Sequence, residues 1–226
     1  MNEQPVVFAE PRAPSSFALI RVLGLVALIS GLLIVVVYQW ALPTILEQRR
    51  LALEKAVFQV LPGASQLNSY VVNDQGVHAK ESGASGRALY AGYDADGKLV
   101  GIAAEAAAQG YADAIRLLYG YSPDCQCVTG FSIVYSRETP GFGDKLVSDP
   151  AFLANFEALD ASLNADGSAL ANAIVTVKHG TKTKPWQIDA ISGATVSSKA
   201  VGKAINESAQ VVVPAVHHHL KAEGRL

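Results

Sequence analysis

The sequence predicts an α+β protein with a single N-terminal transmembrane helix, followed by a domain with an antiparallel sheet and flanking helices. Three observations predict it. An uncharged run fills Val22 to Tyr38, two paired strand patterns surround short turns, and a long helical pattern closes the chain from Val196. The chain has 226 residues, half of them hydrophobic, which suits one domain plus an additional segment.

The additional segment is the span. With Phe17 to Arg21 and Gln39 to Leu42 added, the run Val22–Tyr38 is long enough to cross a hydrocarbon core of roughly 30 Å. Tyr38 and Trp40 at its end fit an aromatic belt at the membrane interface. The run is longer than the apolar core of a signal peptide, and no small-residue cleavage pattern follows Tyr38. It therefore reads as an uncleaved anchor over residues 17–42, behind a polar tail over 1–16. Arg12 and Arg21 precede the span, while Arg49, Arg50 and Lys55 follow it with Glu47 and Glu54 between. That pattern leaves the side of the membrane undecided. No ionisable residue interrupts Val22–Tyr38, so nothing in the run marks an ion pathway.

Pro43 permits a kink. Ile45, Leu46, Leu53, Val57 and Val60 then recur at mixed helical spacings and predict a juxtamembrane helix over 43–61, stopped by Pro62-Gly63. The folded domain is expected over 62–226. Its start, Asn68 to Gly86, is weakly patterned. "RALYAGYDADGKLVGIAAEAAA" predicts two strands around Asp94–Gly97, and "DAIRLLYGYSPDCQCVTGFSIVYS" a second pair around Ser122–Asp124. "PAFLANFEAL" predicts a short helix with Pro150 in its first turn. "ANAIVTVKHG" predicts a strand, and Pro214 a kink or break in the last helix.

The formal net charge is −2, and no basic cluster with interleaved aromatics appears, which argues against nucleic-acid binding. The two cysteines, Cys125 and Cys127, have no metal-site spacing. On an extended strand their Cα atoms would lie about 6.5–7 Å apart, near the limit for a disulfide. They read as two ordinary thiols at a hairpin end. His217, His218 and His219 do not share one helix face, because neighbours point about 100° apart. They read as a polar end or a partner contact rather than a metal site.

The informative stretch is "DAISGATVSSKAV", Asp189 to Val201. Thr195 stands before a helical pattern and reads as an N-cap. A cap does not account for the residues upstream. Gly193 and Ala194 remove side-chain bulk from the approach, and a helix start favours a phosphate. Lys199 adds a charge nearby. No base stands close in sequence to activate Thr195 as a nucleophile.

Asp189 to Thr195 resembles the Asp-x-x-Ser-Gly-Ala-Thr signature of the FMN-binding domain family. In that family a flavin transferase splits FAD and leaves FMN esterified to the final threonine. The resemblance implies that Thr195 carries covalent FMN, that Ser192, Gly193 and Ala194 surround it, and that Asp189 belongs to the pattern the transferase recognises. "ETPGFGDK", Glu138 to Lys145, is similar to the Glu-Thr-Pro-Gly-Leu-Gly loop of the same family. It implies flavin contacts from Glu138, Thr139, Gly141, Phe142 and Gly143. Phe142 replaces the usual leucine, and Ser136 stands where a histidine often precedes the loop.

With its single span, the chain resembles the G-subunit family of Rnf electron-transport complexes. The C-subunit family of sodium-pumping NADH:quinone reductases is a related alternative. A stand-alone membrane-anchored flavin reductase and a purely structural module are the other classes. The Rnf resemblance implies an electron-transfer subunit without catalysis of its own. Its implied partners are integral-membrane and iron-sulfur or flavin subunits, and a flavin transferase for maturation. Its implied location is the bacterial inner membrane, with the flavin domain on the periplasmic side.

Overall fold

The computed structural model describes residues 15–73, 76–80, 85–138, 143 and 145–224. The chain divides into two units, Met1–Arg50 and Leu51–Leu226. Helix α1 spans Ser16–Val60, with Pro43 inside it rather than at the start of a second helix. Its apolar part has the length and composition of a single-pass membrane anchor, and its large side chains from Phe17 to Trp40 are exposed.

In the second unit, a seven-stranded antiparallel sheet has the order β2-β1-β3-β4-β5-β6-β7. Its strands are β1 (Gln66–Asn73), β2 (Gly76–Ala79), β3 (Arg87–Tyr93), β4 (Leu99–Gln109), β5 (Ala114–Ser122), β6 (Cys127–Tyr135) and β7 (Leu159–Asp160). The expected hairpins are β3–β4 and β5–β6. Strands β1 and β2 occupy the segment that lacked a pattern. In β1 only the adjacent Val71 and Val72 are buried, so no alternation marks it as a strand.

Along β4 and β5, alternate residues face opposite sides. Ile102, Ala104, Ala106, Ile115, Leu117 and Tyr119 join the larger core, whereas Ala103 and Leu118 join the smaller one. The larger core is covered by α4 (Thr195–Ala222), which buries Val201, Ile205, Val212, Val216 and Leu220 at helical spacing. Pro214 is buried within α4 and does not end it. His217 and His219 are half-buried; His219 meets Glu223 at 3.2 Å and packs edge-on against Tyr70. The histidines are therefore not a free polar end, and of the three only His218 is exposed.

The smaller core is covered by the last turns of α1. Ala56, Val57, Val60 and Leu61 pack on Tyr90, Ala103 and Leu118. Close approach depends on glycine. A Cβ at Gly120 would strike the Val60 carbonyl, and one at Gly101 would stand 2.9 Å from the Leu61 side chain. Thr129 Oγ1 donates to the same Val60 carbonyl at 3.1 Å. The last turns of α1 thus belong to the same compact unit as the sheet, Leu51–Leu226.

Short helices α2 (Lys145–Ser148) and α3 (Pro150–Leu153) follow the sheet, then a 3-10 turn (Ala154–Phe156). Asp149 caps α3 through the Phe152 N–H. Strands β8 (Val175–Val177) and β9 (Gln187–Asp189) pair in parallel beside α4. Cys125 and Cys127 form a disulfide, correcting the expectation of two thiols. The segment is a turn, not an extended strand. Gln126 lies at φ 50°, and the Cα atoms are 5.2 Å apart.

Candidate functional site

The turn before α4 is built by backbone geometry. The Ala194 N–H returns to the Ile191 carbonyl at 3.1 Å, and Gly193 adopts φ +83°. That conformation is open to glycine and costly for residues with a Cβ. Ser198 closes the turn from the helix side, accepting from the Ile191 N–H at 3.1 Å and donating to the Ala194 carbonyl at 2.9 Å. Ser198 is fully buried, so these bonds fix the elbow from inside.

Thr195 is the first residue of α4, not its cap. The cap position is Ala194, which supplies no side-chain hydrogen bond. The expected N-cap role of Thr195 is therefore wrong by one position. Its half-buried side chain has no hydrogen-bond partner among the described residues. The first helical N–H groups have no intrahelical partner, and here no cap side chain serves them. Among the described residues, the positive end of a 28-residue helix thus stands uncapped beside a hydroxyl without a hydrogen-bond partner.

Thr195 lines a cleft of ≈ 590 Å³. Gly193, Ala194, Thr195, Val196 and Ser197 form one wall, and Glu138 and Tyr111 line it from other elements. Glu138 Oε1 accepts the Ala112 N–H at 3.0 Å, and Ser197 Oγ donates to Oε2. Burial pushes the Glu138 carboxyl up, but hydrogen bonds from Ser197 and from the Ala112, Asp113 and Tyr111 backbone outweigh it. The carboxyl is held below its ordinary range.

The residues singled out from sequence are thus distributed unequally. Glu138, Gly193, Ala194 and Thr195 meet in this cleft. Ser192 lines a second cleft of ≈ 620 Å³, beside His179 and Lys145. Lys199 is exposed and lines neither cleft. Asp189 is turned inward, with the Gly180 N–H on its carboxylate and Asn155 Oδ1 accepting its backbone N–H. Gly143 is packed against the Glu138 side chain, leaving no room for a Cβ. Thr139, Gly141 and Phe142 lie outside the described residues.

Sequence reasoning missed Tyr111 and Ser197. Tyr111 sits in the turn Gly110–Asp113, closed by the Gly110 N–H on the Asp113 carbonyl at 2.9 Å. The usable signal was a Gly-Tyr-Ala-Asp break between two strand patterns.

Residues 110–210 match the FMN-binding domain family. The G subunit of the ion-translocating oxidoreductase complex of Methanosarcina acetivorans is 32% identical over 162 residues, covering 70% of this chain and 74% of that protein. The G subunit of the proton-translocating ferredoxin:NAD(+) oxidoreductase complex of Clostridium ljungdahlii is 31% identical over 198 residues, covering 88% and 92%. The chain belongs to this G-subunit family. NqrC of Shewanella oneidensis superposes with a TM-score of 0.60 at 19% identity, over 78% of this chain and 99% of that one. The C subunit of the Na(+)-translocating NADH-quinone reductase of Parabacteroides distasonis gives 0.58 at 19% identity, over 76% and 95%. This member of the G-subunit family therefore shares its fold with both of those proteins.

The cleft fits the family's cofactor. Its volume lies within the range of about 300–1,000 Å³ usual for small-molecule sites. An open helix start suits a phosphate. The exposed Tyr111 ring supplies a flat apolar face. These features meet at Thr195.

Proposed function

We propose that Thr195 Oγ1 carries FMN through a phosphoester, and that the chain serves as the membrane-anchored electron carrier of a ferredoxin:NAD oxidoreductase complex. The observation that carries this reading is Thr195, without a side-chain hydrogen-bond partner among the described residues, at the uncapped start of α4 in the wall of a cleft of ≈ 590 Å³. Attachment from FAD breaks the pyrophosphate bond, forms the Oγ1–P bond and releases AMP, with the hydroxyl proton lost. A flavin transferase supplies that activation, because no base of this chain is hydrogen-bonded to Thr195 among the described residues.

Bound FMN exchanges one or two electrons and so connects carriers of either type. The chain's own residues retain and orient it. The helix start stabilises the phosphoester charge. Gly193 and Ala194 keep the approach clear of side-chain bulk, and Thr195 prevents loss of the cofactor.

The anchor keeps the cleft near integral-membrane and iron-sulfur or flavin subunits, the partners this reading requires. The domain is assigned to the periplasmic side of a bacterial inner membrane. The Cys125–Cys127 disulfide supports that side, since such bonds persist in oxidising compartments. The test is in-gel flavin fluorescence after denaturation, in cells that also express a flavin transferase. The wild type is expected to fluoresce and Thr195→Val to be dark. A dark wild type or a fluorescent Thr195→Val would refute the assignment.

A further inference from the structure

Glu138 was expected to contact the flavin, but its oxygens are already engaged. Oε1 accepts from the Ala112 N–H at 3.0 Å and lies 3.5 Å from the Asp113 nitrogen. Oε2 accepts from Ser197 Oγ. Two glycines make room for this arrangement. A Cβ at Gly110 would stand 2.5 Å from Oε1, and one at Gly143 would be 2.8 Å from the Glu138 Cγ. The turn has a second tie, from Tyr135 Oη to Asp113 Oδ2 at 3.4 Å. Directly before these tied residues stands Tyr111, which lines the cleft yet is 74% exposed.

We infer that Glu138 is a positioning residue, tying the Gly110–Asp113 turn to Ser197 on helix α4 and so holding the Tyr111 ring over the cleft beside Thr195. The flavin part of this inference rests on the proposed attachment at Thr195. The clamp itself does not. Charge-assisted bonds to a carboxylate are about twice as strong as neutral ones, which suits one side chain to join three segments. Ser197 is two residues past Thr195, on the first turn of the same helix, so the clamp sets the cleft's width where the phosphoester would stand. Tyr111 would then offer the ring system an aromatic face, and Glu138 would act through it rather than on the flavin.

The experiment uses the full-length chain, purified with and without co-expressed flavin transferase. Variants are Ser197→Ala, Glu138→Gln, Tyr111→Leu and the double variant Ser197→Ala/Tyr111→Leu. Without transferase, amide hydrogen exchange over 110–113 is expected to rise at least ten-fold in Ser197→Ala and by a smaller factor in Glu138→Gln, whose amide keeps one oxygen for the Ala112 N–H. Unchanged exchange overturns the clamp, whatever the flavin does. With transferase, intact mass reports attachment and flavin fluorescence yield reports the aromatic contact, because a stacked tyrosine quenches flavin emission. Yield is expected to rise at least two-fold in Ser197→Ala and in Tyr111→Leu, and by less in Glu138→Gln. The double variant should match Tyr111→Leu alone. Fully additive effects, or no change in yield, overturn the role of Tyr111. A wild type that carries no flavin overturns the Thr195 reading, while faster exchange in the same preparations upholds the clamp.

Discussion

The Asp189 carboxylate receives the Gly180 N–H through both oxygens, at 2.7 and 3.0 Å, from a residue nine positions earlier in the chain. His179 Nδ1 lies 3.6 Å from the same carboxylate and meets the Ala190 carbonyl at 3.0 Å. Asn155 holds the Asp189 backbone, accepting its N–H at 3.1 Å and lying 3.4 Å from its carbonyl. The first residue of the Asp-x-x-Ser-Gly-Ala-Thr pattern is thus a strut of the fold. The last carries a hydroxyl without a hydrogen-bond partner among the described residues.

That division predicts how two Asp189 variants separate. Asp189→Ala loses an acceptor and should cost about 1–2 kcal/mol. Asp189→Asn keeps an oxygen for the Gly180 N–H and should melt within a few degrees of wild type. If the transferase recognises the carboxylate, flavin attachment to Asp189→Asn falls at least ten-fold despite the intact fold. Thermal melting and intact mass on the same preparations check both parts. Wild-type attachment in Asp189→Asn would make the role of Asp189 purely structural.

Gly120 makes a prediction for the opposite face of the sheet. A methyl group there meets the Val60 carbonyl and Thr129 Oγ1, neither of which is a free side-chain end. Gly120→Ala should destabilise the domain by about 1–3 kcal/mol, as overpacking does. Denaturant unfolding measures it. Hydrogen exchange should rise over 56–61 if the last turns of α1 are displaced.

Glu138 predicts a pH dependence. Its folded carboxyl is held below the unfolded value, so its contribution is fully present above pH 4.5 and is lost as pH falls through the folded pKa. In Glu138→Gln that part of the acid limb should disappear. Unfolding free energies from pH 6 down to pH 3 for both proteins provide the comparison. Parallel curves would remove Glu138 from the acid response.

The disulfide spans one intervening residue, and its short loop predicts a modest effect. Loop-closure entropy gives ~1.6 kcal/mol for so small a ring. Reduction should therefore lower the melting temperature by only a few degrees without unfolding the domain. Local effects should concentrate where Gln126 is docked. Its backbone carbonyl accepts from Ala161 and its side chain from Leu163, at 3.0 and 3.2 Å. Hydrogen exchange over 159–163 before and after reduction checks this.

The parts legible in the sequence are those with a local signature. The uncharged run, the turns at Asp94–Gly97 and Ser122–Asp124, and the Asp189–Thr195 pattern each announce themselves within about 20 residues. The rest depends on distant pairing. Ser197 meets Glu138 across 59 positions, and Thr129 meets Val60 across 69. No local periodicity encodes such contacts. Strand β2 is short, with no buried residue, so hydrophobic alternation does not reveal it. Thr195 reads as a cap from sequence because threonine favours that position, while in the structure the Ser198 hydroxyl braces the turn from inside and Ala194 occupies the cap.

Covalent flavin on Thr195 is the feature on which the proposed role rests. Intact mass of the purified full-length chain, from cells expressing a flavin transferase, tests it most directly. The wild type is expected to carry one added FMN phosphoester and Thr195→Val none. An unmodified wild type, or the same added mass in Thr195→Val, would contradict it.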